Sequence, residues 1–253
     1  MNRNLSFSAL VLKNSRSGES NREAWLLTRE AGLLRATVFG GPKSHLRAYA
    51  SPFHSGQAWV YHEPVKDTYK LSDFDVHAWR PGLRELFERA MAADAVARAI
   101  LLSHGGGGDS GKAFSLAEET LEALHNADKA ACLSITLWFF WQWVGFLGIT
   151  PDINCCITCG NPMPKSSVSC YLQLQNGLVC NKCAACKSPE MNEAIIKVGP
   201  GARHWLNTVQ ALSASQLSHY TMDRQTLNET RSFLSAILTE ALGKACPPDW
   251  SNF

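Results

Sequence analysis

Neither acidic nor basic residues dominate this chain. Its 253 residues hold 24 Lys and Arg against 22 Asp and Glu, a formal net charge of +2. So small an excess excludes any argument from overall charge, and only its distribution carries information. Catalytic signatures are missing too. There is no Gly-x-Ser-x-Gly, no His-Glu-x-x-His and no dinucleotide fingerprint. A zinc deaminase would want His-x-Glu ahead of Pro-Cys-x-x-Cys, and neither occurs. Gly111-Lys112 is followed by Ala113 rather than Ser or Thr, which excludes a phosphate-binding loop. The glycines from Gly105 to Gly108 read as a connection. The 8 His are scattered. The lack of a catalytic set favours a binding protein over an enzyme. A secretory leader is not visible either: Arg3 is followed by no long apolar core or small-residue cleavage site. With clustered cysteines, this points to a reducing cytoplasm.

Uncharged apolar stretches of membrane length are limited to one. From Ala130 to Pro151 no residue is charged, and the stretch contains Leu137-Trp138-Phe139-Phe140-Trp141. That length can span a bilayer. Gly145, Gly148 and Pro151 break it near one end, and Ser134, Thr136 and Gln142 are polar. A buried central helix is the expectation, with no membrane association.

Cysteine is what the chain does have. Of 9 cysteines, six fall in the two short stretches Cys155–Cys159 and Cys180–Cys186. Cys156-x-x-Cys159 and Cys180-x-x-Cys183 are two knuckles with 20 residues between them, the spacing of a four-thiolate zinc site. Two tight turns can complete a tetrahedron with Zn–S of about 2.3 Å. Gly160 suits a positive φ after the first knuckle. Asn176-Gly177 reads as a hairpin turn before the second. The expected ligands are Cys156, Cys159, Cys180 and Cys183, with Cys155 and Cys186 as substitutes. A four-Cys site is closed, so the Zn2+ is expected to be structural. Its linked binding energy is on the order of 10 kcal/mol.

Around the knuckles the chain falls into modules. Residues 1–78 alternate short apolar strands with turns: Phe7–Leu12, a turn over Asn14–Asn21, Ala24–Thr28, Leu33–Phe39, Ala50–Phe53, Gln57–His62 and Thr68–Leu71. This rhythm fits a small barrel or sandwich. Residues 1–50 carry eight Lys and Arg against three Glu, which fits either a nucleic-acid footprint or a solvated face. Residues 79–150 and 190–253 read as helical, with residues 151–189 as a zinc-binding insert. Leu227, Thr230, Phe233, Leu234, Ile237, Leu238 and Leu242 recur at helical spacing and are expected to cover the Trp-rich helix. Gly199-Pro200-Gly201 reads as the stop of an element.

Leu147-Gly148-Ile149-Thr150-Pro151, followed by Cys156-Ile157-Thr158-Cys159-Gly160, resembles a stretch of the RecO family of bacterial recombination mediators. There the pattern is Leu-Gly-Tyr-x-Pro-x-x-x-x-Cys-x-x-Cys-Gly. Asn176-Gly177-Leu178-Val179 before Cys180 is similar to that family's Gly-Gly-x-x-Cys-x-x-Cys. Leu26–Gly32 and Gly40–Arg47 resemble its opening strands and basic turn, although Gly40-Gly41-Pro42 carries less charge. The family's Phe-Glu-x-x-Leu-Leu is replaced here by the uncharged Trp-rich run.

The resemblance implies an α+β architecture: an N-terminal OB-fold barrel, then a helical domain with an embedded four-Cys motif. On such a barrel, phosphate contacts would fall to Arg35, Lys43 and Arg47, with Arg22 as a fourth. Trp25, Phe39, Tyr49 or Trp59 would stack bases. The implied function is DNA repair and homologous recombination. It comprises binding of single- and double-stranded DNA, strand annealing, and recombinase loading onto DNA coated by single-strand-binding protein (SSB), with RecR as partner, in the cytoplasm at the nucleoid. Two other readings stand beside it. One is a zinc-ribbon adaptor between proteins without DNA affinity. The other is a thiol–disulfide enzyme using Cys183 and Cys186.

Overall fold

The computed structural model describes residues 3–18, 20–41, 44–185, 195–220 and 222–243. The expectations that fall on Lys43 and Cys186 lie outside these residues. The chain divides into two compact units, residues 1–126 and 127–253.

The first unit begins with β1 (Asn4–Ser17), β2 (Asn21–Thr28), β3 (Gly32–Val38), α1 (His45–Tyr49), β4 (Ser55–Glu63) and β5 (Thr68–Ala78). The strands close into a barrel in the order β1-β2-β3-β5-β4, with β3 and β5 parallel. This is an OB-like barrel, as expected. Closure rests on β1. Its first half pairs with β4 and its second half with β2, both antiparallel, with Ala9 and Leu10 bonded on both sides. A register shift between Val11 and Lys13 bends the strand so that one segment can serve two neighbours.

The barrel is narrow because its interior is filled by small residues. Ala9, Ala24, Ala36 and Ala58 point inward with Val11, Leu26, Val38, Val60, Leu71 and Phe74. Alternate residues on the same strands face out.

Several local expectations need correcting. The segment from Asn14 to Ser17 is strand, not turn, because it pairs residue for residue with Asn21–Ala24. Among the described residues there, only Gly18 takes a positive φ, at +65°. Residues 50–53 are not a strand: Ala50 caps α1, and Phe53 has φ +70°. The short helix α1 has no signature in the sequence, since five residues give too little periodicity to read.

Two helices complete the unit: α2 (Phe87–Leu102) and α3 (Ser110–Asn126). Alanines Ala92, Ala93, Ala95, Ala97 and Ala99 line the buried side of α2 and permit close packing. Both helices touch the barrel, α3 through β1, β2 and β3. A buried Arg80, with φ +45°, joins the parts. It donates to the Phe53 carbonyl (3.0 Å), the Ser55 hydroxyl (3.0 Å), Glu118 (3.0 Å) and Glu122 (3.3 Å). Helical periodicity alone groups residues 79–126 with the later helices; packing places them with the barrel.

The second unit holds α4 (Lys129–Phe146), β6 (Ser169–Leu172), β7 (Gly177–Cys180), α5 (Asn181–Ala185), β8 (Ile195–Val198), α6 (Pro200–Val209) and α7 (Arg224–Leu242). Asp128 caps α4 by accepting from the Ala131 amide at 2.8 Å. From Ala131 to Trp141 every side chain of α4 is buried. The covering comes from α6, from α7 and from the 3-10 turn Ala214–His219. Trp138 donates its indole proton to the Leu212 carbonyl at 3.0 Å. Trp141 and Phe233 stand 6.5 Å apart, so the α7 stripe does cover the Trp-rich helix. No helix among the described residues is long and apolar enough to cross a membrane.

The three-stranded sheet β7-β6-β8 leans on α7. Tyr171 meets Phe233 edge-on at 4.9 Å, and α7 packs on β8. Gly199 and Pro200 open α6 rather than stopping an element, as Pro at a first helical position favours.

Candidate metal centre and nucleic-acid interface

The sulfurs of Cys156, Cys159, Cys180 and Cys183 all lie within 4.8 Å of one another. A tetrahedron with Zn–S near 2.3 Å has sulfur–sulfur edges of about 3.8 Å, so the cluster needs only slight contraction around a cation. The local chain explains the convergence. In the first knuckle the Gly160 amide donates to the Cys156 carbonyl at 2.8 Å, with Gly160 at φ +69°. The Cys156 amide donates to the Asn161 carbonyl at 2.9 Å, and Cys155 bridges to Pro162. The second knuckle runs from the end of β7 into α5, so Cys180 and Cys183 lie on successive sides of a strand-to-helix turn. The two knuckles are tied together by the Ile157 amide donating to the Leu178 carbonyl at 2.9 Å.

Gly177 has a different role from the one its turn suggests. The positive φ of that hairpin belongs to Asn176, at +44°. A Cβ on Gly177 would stand 2.4 Å from Cγ2 of Ile157. Gly177 therefore lets the first knuckle lie directly on β7. Asn176 is held by the Tyr171 hydroxyl at 2.9 Å and donates to the Ile149 carbonyl at 2.8 Å.

The electrostatics suit a cation. Burial pushes the Cys156 thiol up, but the amides of Cys180, Cys159 and Thr158 outweigh it and bring it down to about 6. The Cys180 amide reaches the Cys156 sulfur at 3.4 Å. Cys183 is pushed up to about 12, first by hydrogen bonding with Cys180, then with Cys159. A divalent cation bound here would displace the proton that Cys183 holds. Cys155 is not part of the cluster. Desolvation and the neighbouring Asp152 carboxylate push its thiol up, which disfavours it as a ligand. All seven cysteines of the described residues are free thiols, so no disulfide competes there.

The barrel surface is the second candidate. Strand register places Lys13, Trp25 and Arg35 side by side across β1, β2 and β3. All three lie on the face opposite the buried Ala24 and Ala36. Lys13 and Arg35 are exposed and Trp25 is half-buried, with the Arg35 guanidinium 5.7 Å from its ring. The next row holds Glu23, Thr37 and Lys70, and Glu23 pairs with Arg35 at 3.2 Å. A groove of about 170 Å³ runs between Leu33, Leu34, Arg35, Thr37 and the loop at Asp67 and Thr68. The β2–β3 face and the β4–β5 loop are where OB barrels take oligonucleotides.

The other predicted residues scatter. Arg22 is half-buried and opposite Arg16 across the β1–β2 pair. Arg47, on α1, spends a guanidinium N–H on the Gly40 carbonyl at 3.2 Å. Phe39, Tyr49 and Trp59 are exposed. Trp59, however, stands beside Asp73, a poor place for phosphate. Sequence reasoning misses Lys13, because only the strand register puts it next to Trp25 and Arg35.

A closed five-stranded barrel with helices packed on it, followed by helices and a small sheet carrying a four-thiolate cage, defines a class: an OB-barrel protein with a knuckle-type metal-binding cluster. Comparison with known proteins gives the class a family. The family model described as Recombination protein O N terminal matches residues 1–78, and Recombination protein O C terminal matches residues 84–248. The chain belongs to the RecO family. It is 26% identical over 209 residues to DNA repair protein RecO of Rubrobacter xylanophilus, covering 82% of this chain and 81% of that one. It is 25% identical over 237 residues to DNA repair protein RecO of Bacillus pumilus, covering 92% and 88% respectively.

Proposed function

We propose that this chain acts in DNA repair and recombination as a non-enzymatic mediator that holds DNA strands on the outer face of its barrel. The observation that carries the reading is the row Lys13, Trp25, Arg35 across β1–β3, in a member of a family of DNA repair proteins. Phosphates meet Lys13 and Arg35 while a base stacks on Trp25, which is how an OB surface binds single strands without bond chemistry. Lys43, Arg47 and Arg22 are the other basic residues of the module that this reading assigns to phosphate. Charge neutralisation of this kind suits annealing of two strands and serves double-stranded DNA as well. RecR and SSB are the protein partners of this reading, and the cytoplasm at the nucleoid is its location.

The cage holds zinc. Thiolate-only donors in a closed tetrahedron select zinc over hard cations and leave no open position for substrate. The metal fastens the two knuckles and takes no part in strand binding.

The test is a salt titration of single-strand binding. Lys13→Glu with Arg35→Glu should weaken binding and reduce the slope of log affinity against log salt by about 1 for each phosphate no longer neutralised. Unchanged affinity and slope would remove the barrel face as the site and leave the protein–protein adaptor.

A further inference from the structure

The second unit contains a cation that no carboxylate among the described residues neutralises. Arg203, on α6, is 5% exposed. One of its terminal nitrogens donates to the Pro164 carbonyl at 2.6 Å and the Ser167 carbonyl at 2.8 Å, while Nε has no partner. No carboxylate among the described residues pairs with it. A guanidinium withdrawn from water without a counter-charge is unfavourable, and two neutral carbonyls compensate it only in part. Burial accordingly disfavours its charged form. Contrast Arg80, equally buried, which has Glu118 and Glu122 beside it.

Arg203 lines a cavity of about 660 Å³, together with Lys165, His204, Asn154, Asn207 and Pro200. Among the described residues, the lining holds two permanent positive charges and an imidazole and no carboxylate. Asn154 and Asn207 bond to each other, at 3.1 and 3.3 Å; Asn207 gives its second amide proton to the Arg203 carbonyl at 3.0 Å, and Asn154 keeps one. Glu229 already takes the Gly199 amide at the start of α6, at 2.8 Å, so the helix end is partly satisfied and is not the main attraction.

We infer that this cavity is an anion site that takes a phosphate group, with Arg203 and Lys165 supplying the charge and His204 and Asn154 supplying donors. The bound phosphate is the counter-ion that Arg203 lacks. The positive lining selects the charged phosphate rather than a neutral nucleobase. The source is either free phosphate or a phosphodiester of nucleic acid. The site uses none of the residues of the barrel face, and its existence does not depend on DNA binding there.

The probe is inorganic phosphate. At matched ionic strength with chloride as reference, phosphate should raise the thermal midpoint of the zinc-loaded full chain saturably, because a ligand bound only by the folded state stabilises it. Lys165→Glu with His204→Glu changes two exposed residues and leaves the Arg203 clamp intact. This variant should lose the phosphate-dependent shift while keeping its circular dichroism and metal content. Arg203→Lys should retain part of the shift. A wild-type midpoint indifferent to phosphate, or a shift retained by the double variant, overturns the inference. An oligonucleotide arm then identifies the source. If the double variant also loses several-fold in single-strand affinity, with Lys13 and Arg35 untouched, the phosphodiester is the ligand. If only the phosphate shift is lost, the ligand is free phosphate.

Discussion

Gly177→Ala probes how closely the two knuckles must lie. The added Cβ would come within 2.4 Å of Ile157 Cγ2 and 2.9 Å of its Cδ1. Real approaches of this kind do not occur, so either Ile157 or β7 must move. Ile157 is 42% exposed, which gives its side chain room to rotate outward. Overpacking costs about 1–3 kcal/mol. Gly177 does not sit at positive φ, so Ala also stiffens the unfolded chain and returns about 0.4–1 kcal/mol. The net expectation is a loss of about 0.5–2 kcal/mol, with metal affinity weakened in the same direction because Cys156 and Cys180 flank the clash. Ile157→Ala should rescue it, since Cβ of residue 157 lies 3.4 Å from the new atom, near ordinary van der Waals distance. Urea unfolding and zinc competition against a chelator would measure both effects across the four-member cycle. If Gly177→Ala alone is neutral in both, or if the double variant is no better than the single, the proposed seating of the first knuckle on β7 is wrong.

Three further outcomes are expected. Replacing Cys156, Cys159, Cys180 or Cys183 singly by Ser should abolish stoichiometric zinc, read by metal analysis, whereas Cys155→Ser should retain it. Arg80→Met removes the cation shared by Ser55, Glu118 and Glu122 and strips the half-buried Glu118 of its counter-charge; urea unfolding should show a loss of about 1–3 kcal/mol. His54 is 3% exposed, donates to the Tyr49 carbonyl at 2.9 Å and accepts from Arg84 at 3.3 Å, so it is neutral when folded. Burial, followed by Arg84 and Arg80, lowers its pKa below the ordinary 6.5, with the Tyr49 bond opposing. The unfolded chain therefore binds the extra proton first. Stability should be full above pH 6.5 and decline as pH falls below it, and His54→Gln should flatten that part of the profile.

The knuckle spacing, the barrel rhythm and the Trp-rich helix can all be read along the chain, because each depends on residues close in sequence or on a period of hydrophobicity. Reading fails where a local pattern competes with pairing. Asn14–Ser17 has the composition of a turn, yet its backbone is committed to β2, and pairing overrides propensity. Gly177 looks like a turn glycine, yet what it accommodates is Ile157, twenty residues earlier. Arg22, Arg35 and Arg47 are the same letter in the same module. Opposition to Arg16, pairing with Glu23 and a bond to Gly40, in that order, give them different freedom to meet a phosphate.

Cysteine spacing and the alternation of apolar residues are one-dimensional properties. From them alone come the four-thiolate pattern and the presence of a small strand-rich module; the family resemblance also needs the particular residues around the knuckles. Which side chains stand together is a property of the folded chain. Closure of β1 against both β2 and β4 aligns Lys13 with Trp25 and Arg35. Packing of α6 against the loop at Pro164 buries Arg203 without a carboxylate partner among the described residues. Register and burial arise between distant segments, and their energies depend on neighbours that no single stretch of chain contains.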